Sequence, residues 1–312
     1  MTILLNIGLI ILSAVILWIG ALWVVDSASA VARKFRLSEM TIGLTIVAMG
    51  TSLPEFLVTA TASFKGLGDI SLSNIVGSNI FNLGIILGML ALIRPIPAHR
   101  TLIRRDVPLL LCLGLFILIM LYDLQLGRSA GFMLLIFFVS YNLFVFLRSP
   151  ALPKGIPSVE SRKAGKKDYI RLLTGFVLVA AGGHLMVDNA SSLAEMAGIS
   201  QWAVGVTIVA AGTSLPELFT CLAALWKGKH ELLLGNLIGS DIFNFAGVLG
   251  LTCILNPISI SQAALPGMFT FLIMVAILLL FMRTGFRITR VEGAVLICIS
   301  LARWGVDLQL LP

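Results

Sequence analysis

Apolar stretches recur from one end of the chain to the other, separated by short connections that hold almost all of its charge. A helix needs about 17–25 apolar residues to cross a bilayer. Ten stretches meet that length, at roughly 4–25, 40–64, 70–93, 106–122, 130–147, 169–188, 200–225, 232–255, 263–282 and 290–306. The pattern predicts an all-α polytopic membrane protein of ten transmembrane helices. Composition agrees: 58% of the 312 residues are hydrophobic, 12% are charged, and mean hydropathy is +1.04. Little chain is left for a soluble domain, which excludes a nucleic-acid-binding protein, a soluble enzyme and a single-span receptor.

The net charge of +7 is distributed by side. If every stretch crosses, one side receives the connections 26–39, 94–105, 148–168 (with Arg171), 226–231 and 283–290. These carry 19 of the 22 Lys and Arg, leaving Lys65, Arg128 and Arg303 for the other side. The positive-inside rule then places both termini outside and the 148–168 linker in the cytoplasm, with the plasma (inner) membrane as the expected location. No basic segment precedes the first apolar stretch, so it reads as a retained span and not a cleaved signal. Cys112, Cys221, Cys253 and Cys298 sit singly in apolar segments, without ligand spacing, and read as packing residues.

The chain repeats itself. Val47-Ala-Met-Gly-Thr-Ser-Leu-Pro-Glu55 aligns with Val209-Ala-Ala-Gly-Thr-Ser-Leu-Pro-Glu217 at an offset of 162. The same offset aligns Gly77-Ser-Asn-Ile-Phe-Asn82 with Gly239-Ser-Asp-Ile-Phe-Asn244. Between Glu39–Gly88 and Gln201–Gly250, 23 of 50 ungapped positions are identical, Thr, Ser, Pro, Glu and Asn among them. The organisation is therefore a first five-helix repeat (1–147), a cytoplasmic linker (148–168) and a second five-helix repeat (169–312). Five is odd, so the second copy enters the membrane from the opposite side. This inverted-topology plan is common among secondary transporters, whose sites lie near the midplane at interrupted helices.

Glu55 and Glu217 fall deep within their spans, where an ionised carboxylate costs several kcal/mol unless it meets a cavity, a charge or an ion. Pro54 and Pro216 precede them, and each removes a backbone donor and breaks the helix. The carbonyls near Gly50 and Gly212 are thereby freed, beside the hydroxyls of Thr51, Ser52, Thr213 and Ser214. Asn74, Ser78 and Asn82 form one i, i+4, i+8 stripe, and Asn236, Ser240 and Asn244 form another. Gly77 and Gly239 are expected to admit close backbone approach. All-oxygen donors suit hard cations, Ca²⁺ above all, whereas transition metals favour imidazole or thiolate. Two carboxylates balance one Ca²⁺ or two monovalent cations. His184 reads as a packed or interfacial residue, and Asp26 and Asp188 as interfacial residues closing their spans. Asp241 replaces Asn79 of the first repeat and stands about 60° from Asn244 on an ideal helix, at the margin of the stripe.

With these motifs in view, the chain resembles the cation/calcium exchanger superfamily, specifically the prokaryotic sodium/calcium exchanger branch. The resemblance implies Ca²⁺ ligands at Glu55 and Glu217 and at the carbonyls of Thr51 and Thr213. It implies Na⁺ sites that add Ser52, Ser78, Ser214, Ser240 and the carbonyls of Ala48 and Ala210, with Asn82 and Asn244 completing the central region. The proton/calcium branch has Gly-Asn-x-x-Glu where this chain has Gly-Thr-Ser-Leu-Pro-Glu. The potassium-dependent branch has an aspartate where this chain has Asn244.

The expected function is antiport of Na⁺ against Ca²⁺ by alternating access, without K⁺. H⁺/Ca²⁺ exchange and, in another class, a cation channel are the alternatives. A channel needs weak multi-site binding along a continuous pore, whereas both broken helices are expected to close on one pocket. No Ser/His, Asp/Asp or His-rich metal constellation supports an intramembrane enzyme. Cofactors are expected to be none. The partners are the lipid bilayer and the transported ions, with neither nucleic acid nor an obligate protein partner.

Overall fold

The computed structural model describes residues 2–148, 164–197 and 210–309. Its helices, in chain order, are α1 (Thr2–Phe35), α2 (Glu39–Thr51), α3 (Leu53–Phe64), α4 (Gly68–Ile93), α5 (Leu102–Asp123) and α6 (Arg128–Leu147). They continue with α7 (Lys166–Met196), α8 (Ala210–Gly212), α9 (Leu215–Trp226), α10 (His230–Leu255), α11 (Leu265–Gly285) and α12 (Arg290–Gln309). Four two-residue strands lie in the connections: β1 (Ile96–Pro97), β2 (Gln125–Leu126), β3 (Ile258–Ser259) and β4 (Arg287–Ile288). Among the described residues, seven helices are long and apolar enough to cross a membrane, and α2–α3, bent by 48° at its break, makes an eighth if read as one span. The protein is an all-α polytopic membrane protein. Of the expected span 200–225, residues 200–209 lie outside the described residues, as do residues 149–163 of the linker. The expected span 290–306 is the twenty-residue α12, whose charges at Arg290, Glu292, Arg303 and Asp307 keep it out of the seven.

Contacts divide the chain into two compact units, residues 1–54 with 144–236, and residues 55–143 with 237–312. In the first, α1 and α7 run antiparallel. A Cβ on Gly20 would stand 2.8 Å from Leu178, one on Gly182 would stand 3.0 Å from Leu17, and Asn6 donates to Ser192 at 2.9 Å. Small residues allow such close packing in lipid, where no hydrophobic force drives helices together. At the other end Lys34 lies 4.8 Å over the Tyr169 ring and Arg171 5.4 Å over Trp23. There Lys227 pairs with Asp26 at 2.5 Å, and Lys229 meets Glu39 at 3.3 Å and also Ser29.

The second unit is held by crosswise pairing. β1 pairs antiparallel with β4, and β2 with β3. Glycines repeat the arrangement between helices: a Cβ on Gly88 of α4 would lie 2.7 Å from the Gly293 carbonyl of α12, and one on Gly131 of α6 would lie 2.6 Å from the Gly250 carbonyl of α10. Phe245 and Phe271 meet edge-on at 4.9 Å in the core. The buried Asp106 takes Arg105 at 2.8 Å and Tyr141 at 3.0 Å, tying α5 to α6. On the far connections, Asp69 accepts from the Ser261 amide at 2.7 Å. Each of these loop contacts joins two connections that the charge count assigns to the same side.

α1 runs on past Asp26 to Phe35 and α7 past Asp188 to Met196. Asp26 is paired to Lys227, and Asp188 lies 3.4 Å from the exposed His184. The close approach expected at Gly77 is corrected: among the described residues a Cβ there would meet nothing within 4 Å, and α4 makes close approaches at Gly68, Gly84 and Gly88. Overpacking a tight helix crossing costs about 1–3 kcal/mol. Gly88→Val and Gly131→Val are therefore expected to lower the thermal midpoint in detergent clearly, with Gly77→Ala close to the parent, as read by size-exclusion of heated samples.

Candidate functional site

Both glutamates sit at a helix break built in the same way. Ser38 caps α2 by accepting from the Thr41 amide at 3.1 Å, and the helix runs through a π-helical turn at Gly43–Val47 before ending at Thr51. Ser52 lies outside helical geometry at φ −88°, ψ 16°, and α3 begins with Leu53-Pro54-Glu55. In the second copy Ser214 adopts φ −89°, ψ 8° ahead of Leu215-Pro216-Glu217. The proline lacks the amide that would continue the preceding turn, so the break is dictated locally. Downstream, Gly66 (φ +73°) and Gly228 (φ +70°) end α3 and α9 with the same left-handed cap. Leu67 and Lys229 then donate back to the carbonyls of Ala62 and Ala224.

Within the first unit, Glu217 is fully buried and accepts a 2.7 Å hydrogen bond from the Ser52 hydroxyl. Thr51, Ser52, Thr213 and Ser214 are buried with it. The Thr51 hydroxyl is 3.1 and 3.3 Å from the carbonyls of Val47 and Ala48, and 3.3 Å from Asn236 Oδ1. Asn236 in turn donates to Cys221 Sγ at 3.4 Å. Ala48 lies in α2 and Ala210 opens α8, so both are placed on the turns that precede the breaks.

Within the second unit, Glu55 is fully buried on the first turn of α3. Asn74 donates to the Glu55 carbonyl at 3.3 Å and to Thr59 Oγ1 at 3.0 Å, bracing that turn. Residues 59 and 74 are the counterparts of 221 and 236, so the same side-chain bond recurs in each copy, to a hydroxyl in one and a thiol in the other. Ser78 and Ser240 are buried. Asn82 and Asn244 each sit second in a π-helical turn, Phe81–Ile86 and Phe243–Val248. A π turn shifts the helix face and is frequent at functional sites. Asn82 Nδ2 donates to Asp241 Oδ1 at 3.1 Å, Asn244 Nδ2 to Asn79 Oδ1 at 2.9 Å, and Asn79 Nδ2 to the Asp241 carbonyl at 3.2 Å. The amide oxygens of Asn82 and Asn244 are buried and, among the described residues, accept no hydrogen bond.

The residues expected from the sequence thus fall into two clusters. Ala48, Thr51, Ser52, Ala210, Thr213, Ser214 and Glu217 belong to the first unit, and Glu55, Ser78, Asn82, Ser240 and Asn244 to the second. Among the described residues no three His, Cys, Asp or Glu gather as a metal cluster. The available donors are hydroxyls, amide oxygens, main-chain carbonyls and a carboxylate in each unit. Sequence reasoning missed Asn79, which meets Asp241 and Asn244 far along the chain, and Thr59 and Cys221, each of which meets an asparagine 15 residues on. A signal existed for the last two, because the offset of 162 that relates Asn74 to Asn236 also relates Thr59 to Cys221.

A family model described as sodium/calcium exchanger protein matches residues 5–147 and 167–301. The chain is 38% identical over 285 residues to the putative antiporter CaxA of Alkalimonas amylolytica, covering 88% of this chain and 89% of that one. It is 31% identical over 341 residues to the sodium/calcium exchanger MaX1 of Methanosarcina acetivorans, covering 95% and 97%. Among solved structures, the sodium-calcium exchanger NCX_Mj soaked with 10 mM Na⁺ and zero Ca²⁺ superposes with TM-score 0.85 at 30% identity, over 97% of this chain and 99% of that one.

The bracing asparagines give a test. Cys221→Ser keeps an acceptor for Asn236 and is expected to leave stability within about 1 kcal/mol. Asn236→Leu strips Thr51 and Cys221 of that partner and is expected to cost about 1–3 kcal/mol. Thermal unfolding of the purified variants in detergent distinguishes the two.

Proposed function

We propose, for a chain that belongs to the sodium/calcium exchanger family, secondary active exchange of Na⁺ for Ca²⁺ across a membrane by alternating access. It is a transporter, and its ions are substrates. The observation that carries this reading is the pair of fully buried glutamates, each one residue beyond a proline at a duplicated helix break. Buried carboxylates with hydroxyls and freed carbonyls around the break match what a dehydrated hard cation requires.

The proposed ligands for Ca²⁺ are Glu55 and Glu217 with the carbonyls of Thr51 and Thr213. For Na⁺ they are the same carboxylates with Ser52, Ser78, Ser214, Ser240 and the carbonyls of Ala48 and Ala210, while Asn82 and Asn244 supply neutral oxygens. Because both ions need the same two carboxylates, one load displaces the other, and that exclusion couples the flows. The proposed architecture is ten spans in two inverted five-helix repeats, 1–147 and 169–312, joined by a cytoplasmic linker at 148–168. The antiparallel course of α1 and α7, the first helix of each copy, supports it. The charge distribution supports a plasma-membrane protein with both termini outside.

Glu55→Gln and Glu217→Gln are each expected to abolish Na⁺-driven Ca²⁺ uptake into proteoliposomes while leaving a monodisperse, folded protein. Substantial exchange by either variant overturns the mechanism, and uptake driven by an H⁺ gradient alone points to proton coupling instead.

The same charge count gives a proposal about potassium. Two carboxylates are matched by one Ca²⁺, and Asn82 and Asn244 are neutral, so a cotransported K⁺ has no compensating charge among the proposed ligands. Exchange is expected to proceed at full rate with K⁺ replaced by choline, and Asn244→Asp is expected to alter cation dependence more than Asn79→Asp does. A strict K⁺ requirement in the wild type refutes that count.

A further inference from the structure

The two asparagines proposed to face the ions are not held alike. Asn82 gives its amide hydrogens to a carboxylate, Asp241 Oδ1 at 3.1 Å. With Asp241 Oδ1 as the acceptor, this bond sets Asn82 with its nitrogen toward Asp241 and its oxygen away from it. Asn244 is fixed by a relay that starts from the same residue. The Asp241 carbonyl accepts from Asn79 Nδ2 at 3.2 Å, which obliges Asn79 Oδ1 to accept from Asn244 Nδ2 at 2.9 Å. The oxygen of Asn244 is thereby turned outward as well. All four side chains are fully buried, and among the described residues Oδ1 of both Asn82 and Asn244 is left without a hydrogen-bond donor. A buried amide oxygen without a donor is expensive unless it meets a cation. Both asparagines sit second in a π-helical turn.

We infer that Asp241 is a positioning residue: through its carboxylate and its carbonyl it locks the amides of Asn82 and Asn244 so that both present oxygen, and never nitrogen, to the transported Ca²⁺. The first repeat has Asn79 at this position, and an amide there satisfies a partner in either orientation. A carboxylate at one of the two positions removes that ambiguity for the whole quartet. This inference rests on the exchanger reading for the identity of the ion, and on the geometry alone for the orientation.

The test is a double-mutant cycle on the purified full-length protein with Asp241→Asn, Asn82→Ala and the two combined. Ca²⁺ affinity is measured by isothermal titration in detergent and as KM for Na⁺-driven Ca²⁺ uptake in proteoliposomes. Asp241→Asn is expected to weaken Ca²⁺ affinity about tenfold, the scale of one charge-assisted hydrogen bond. Turnover at saturating Ca²⁺ is expected to stay within about twofold. On the Asn82→Ala background the same change is expected to add little, since no amide remains there to orient. The exchanged pair, Asn82→Asp with Asp241→Asn, restores the bond with donor and acceptor reversed and is expected to recover affinity. Unaltered affinity in Asp241→Asn, additive losses in the cycle, or no recovery in the exchanged pair each overturns the inference. Additive losses would make Asp241 an ion ligand in its own right. If the wild type binds Ca²⁺ but shows no Na⁺-driven flux, the exchange reading fails, and the titration cycle still decides the role of Asp241.

Discussion

In hydrocarbon, a polar group finds its partner inside the protein or goes without. A helix meets this condition for its own backbone, but Pro54 and Pro216 break that self-sufficiency in the middle of the chain's most polar motifs. The rest of each unit is arranged around the breach. Hydroxyls fold back onto their own helices, as Ser13 does onto Leu9 at 2.6 Å and Thr45 onto Thr41 at 2.8 Å. Ser52 turns to Glu217, and Asn74 braces the turn that carries Glu55. Outside the breaks, close helix packing is left to glycines, which need no polar chemistry.

The duplication persists in backbone detail that selection on composition alone would not retain. Gly66 and Gly228 take the same positive φ, and so do Leu124 and Phe286, non-glycine residues immediately before β2 and β4. The π turns at Phe81–Ile86 and Phe243–Val248 also correspond. Against this likeness, the two breaks are not packed alike within the first unit. A Cβ on Gly50 would press on the Phe176 ring, and one on Gly212 on Val187, although both partners belong to α7.

Much of this was legible in the sequence because the bilayer imposes its length on helices and its charge asymmetry on loops. The positions of the breaks and of Glu55 and Glu217 came from such local rules. The partner of Asp26 did not, because Lys227 is distant in the chain. Asn79 was invisible for the same reason: its meaning lies in Asn244 and Asp241. The π turns escaped because an inserted residue leaves no mark on a periodicity judged over two or three turns. Gly77 was assigned a close contact by analogy with small-residue motifs, while on the same helix close contacts fall at Gly68, Gly84 and Gly88.

The crosswise strands carry a consequence for biogenesis. β1 has its partner at Arg287–Ile288 and β2 at Ile258–Ser259, so neither edge is completed by residues from the half of the chain that contains it. At a synthesis rate of about 5–20 residues per second, Ile96 leaves the ribosome some 10–40 s before Ile288. Through that interval the newborn first half waits at the membrane with an unmatched edge and with Gly88 and Gly131 facing no partner. Two separately made halves would close this unit only by finding each other.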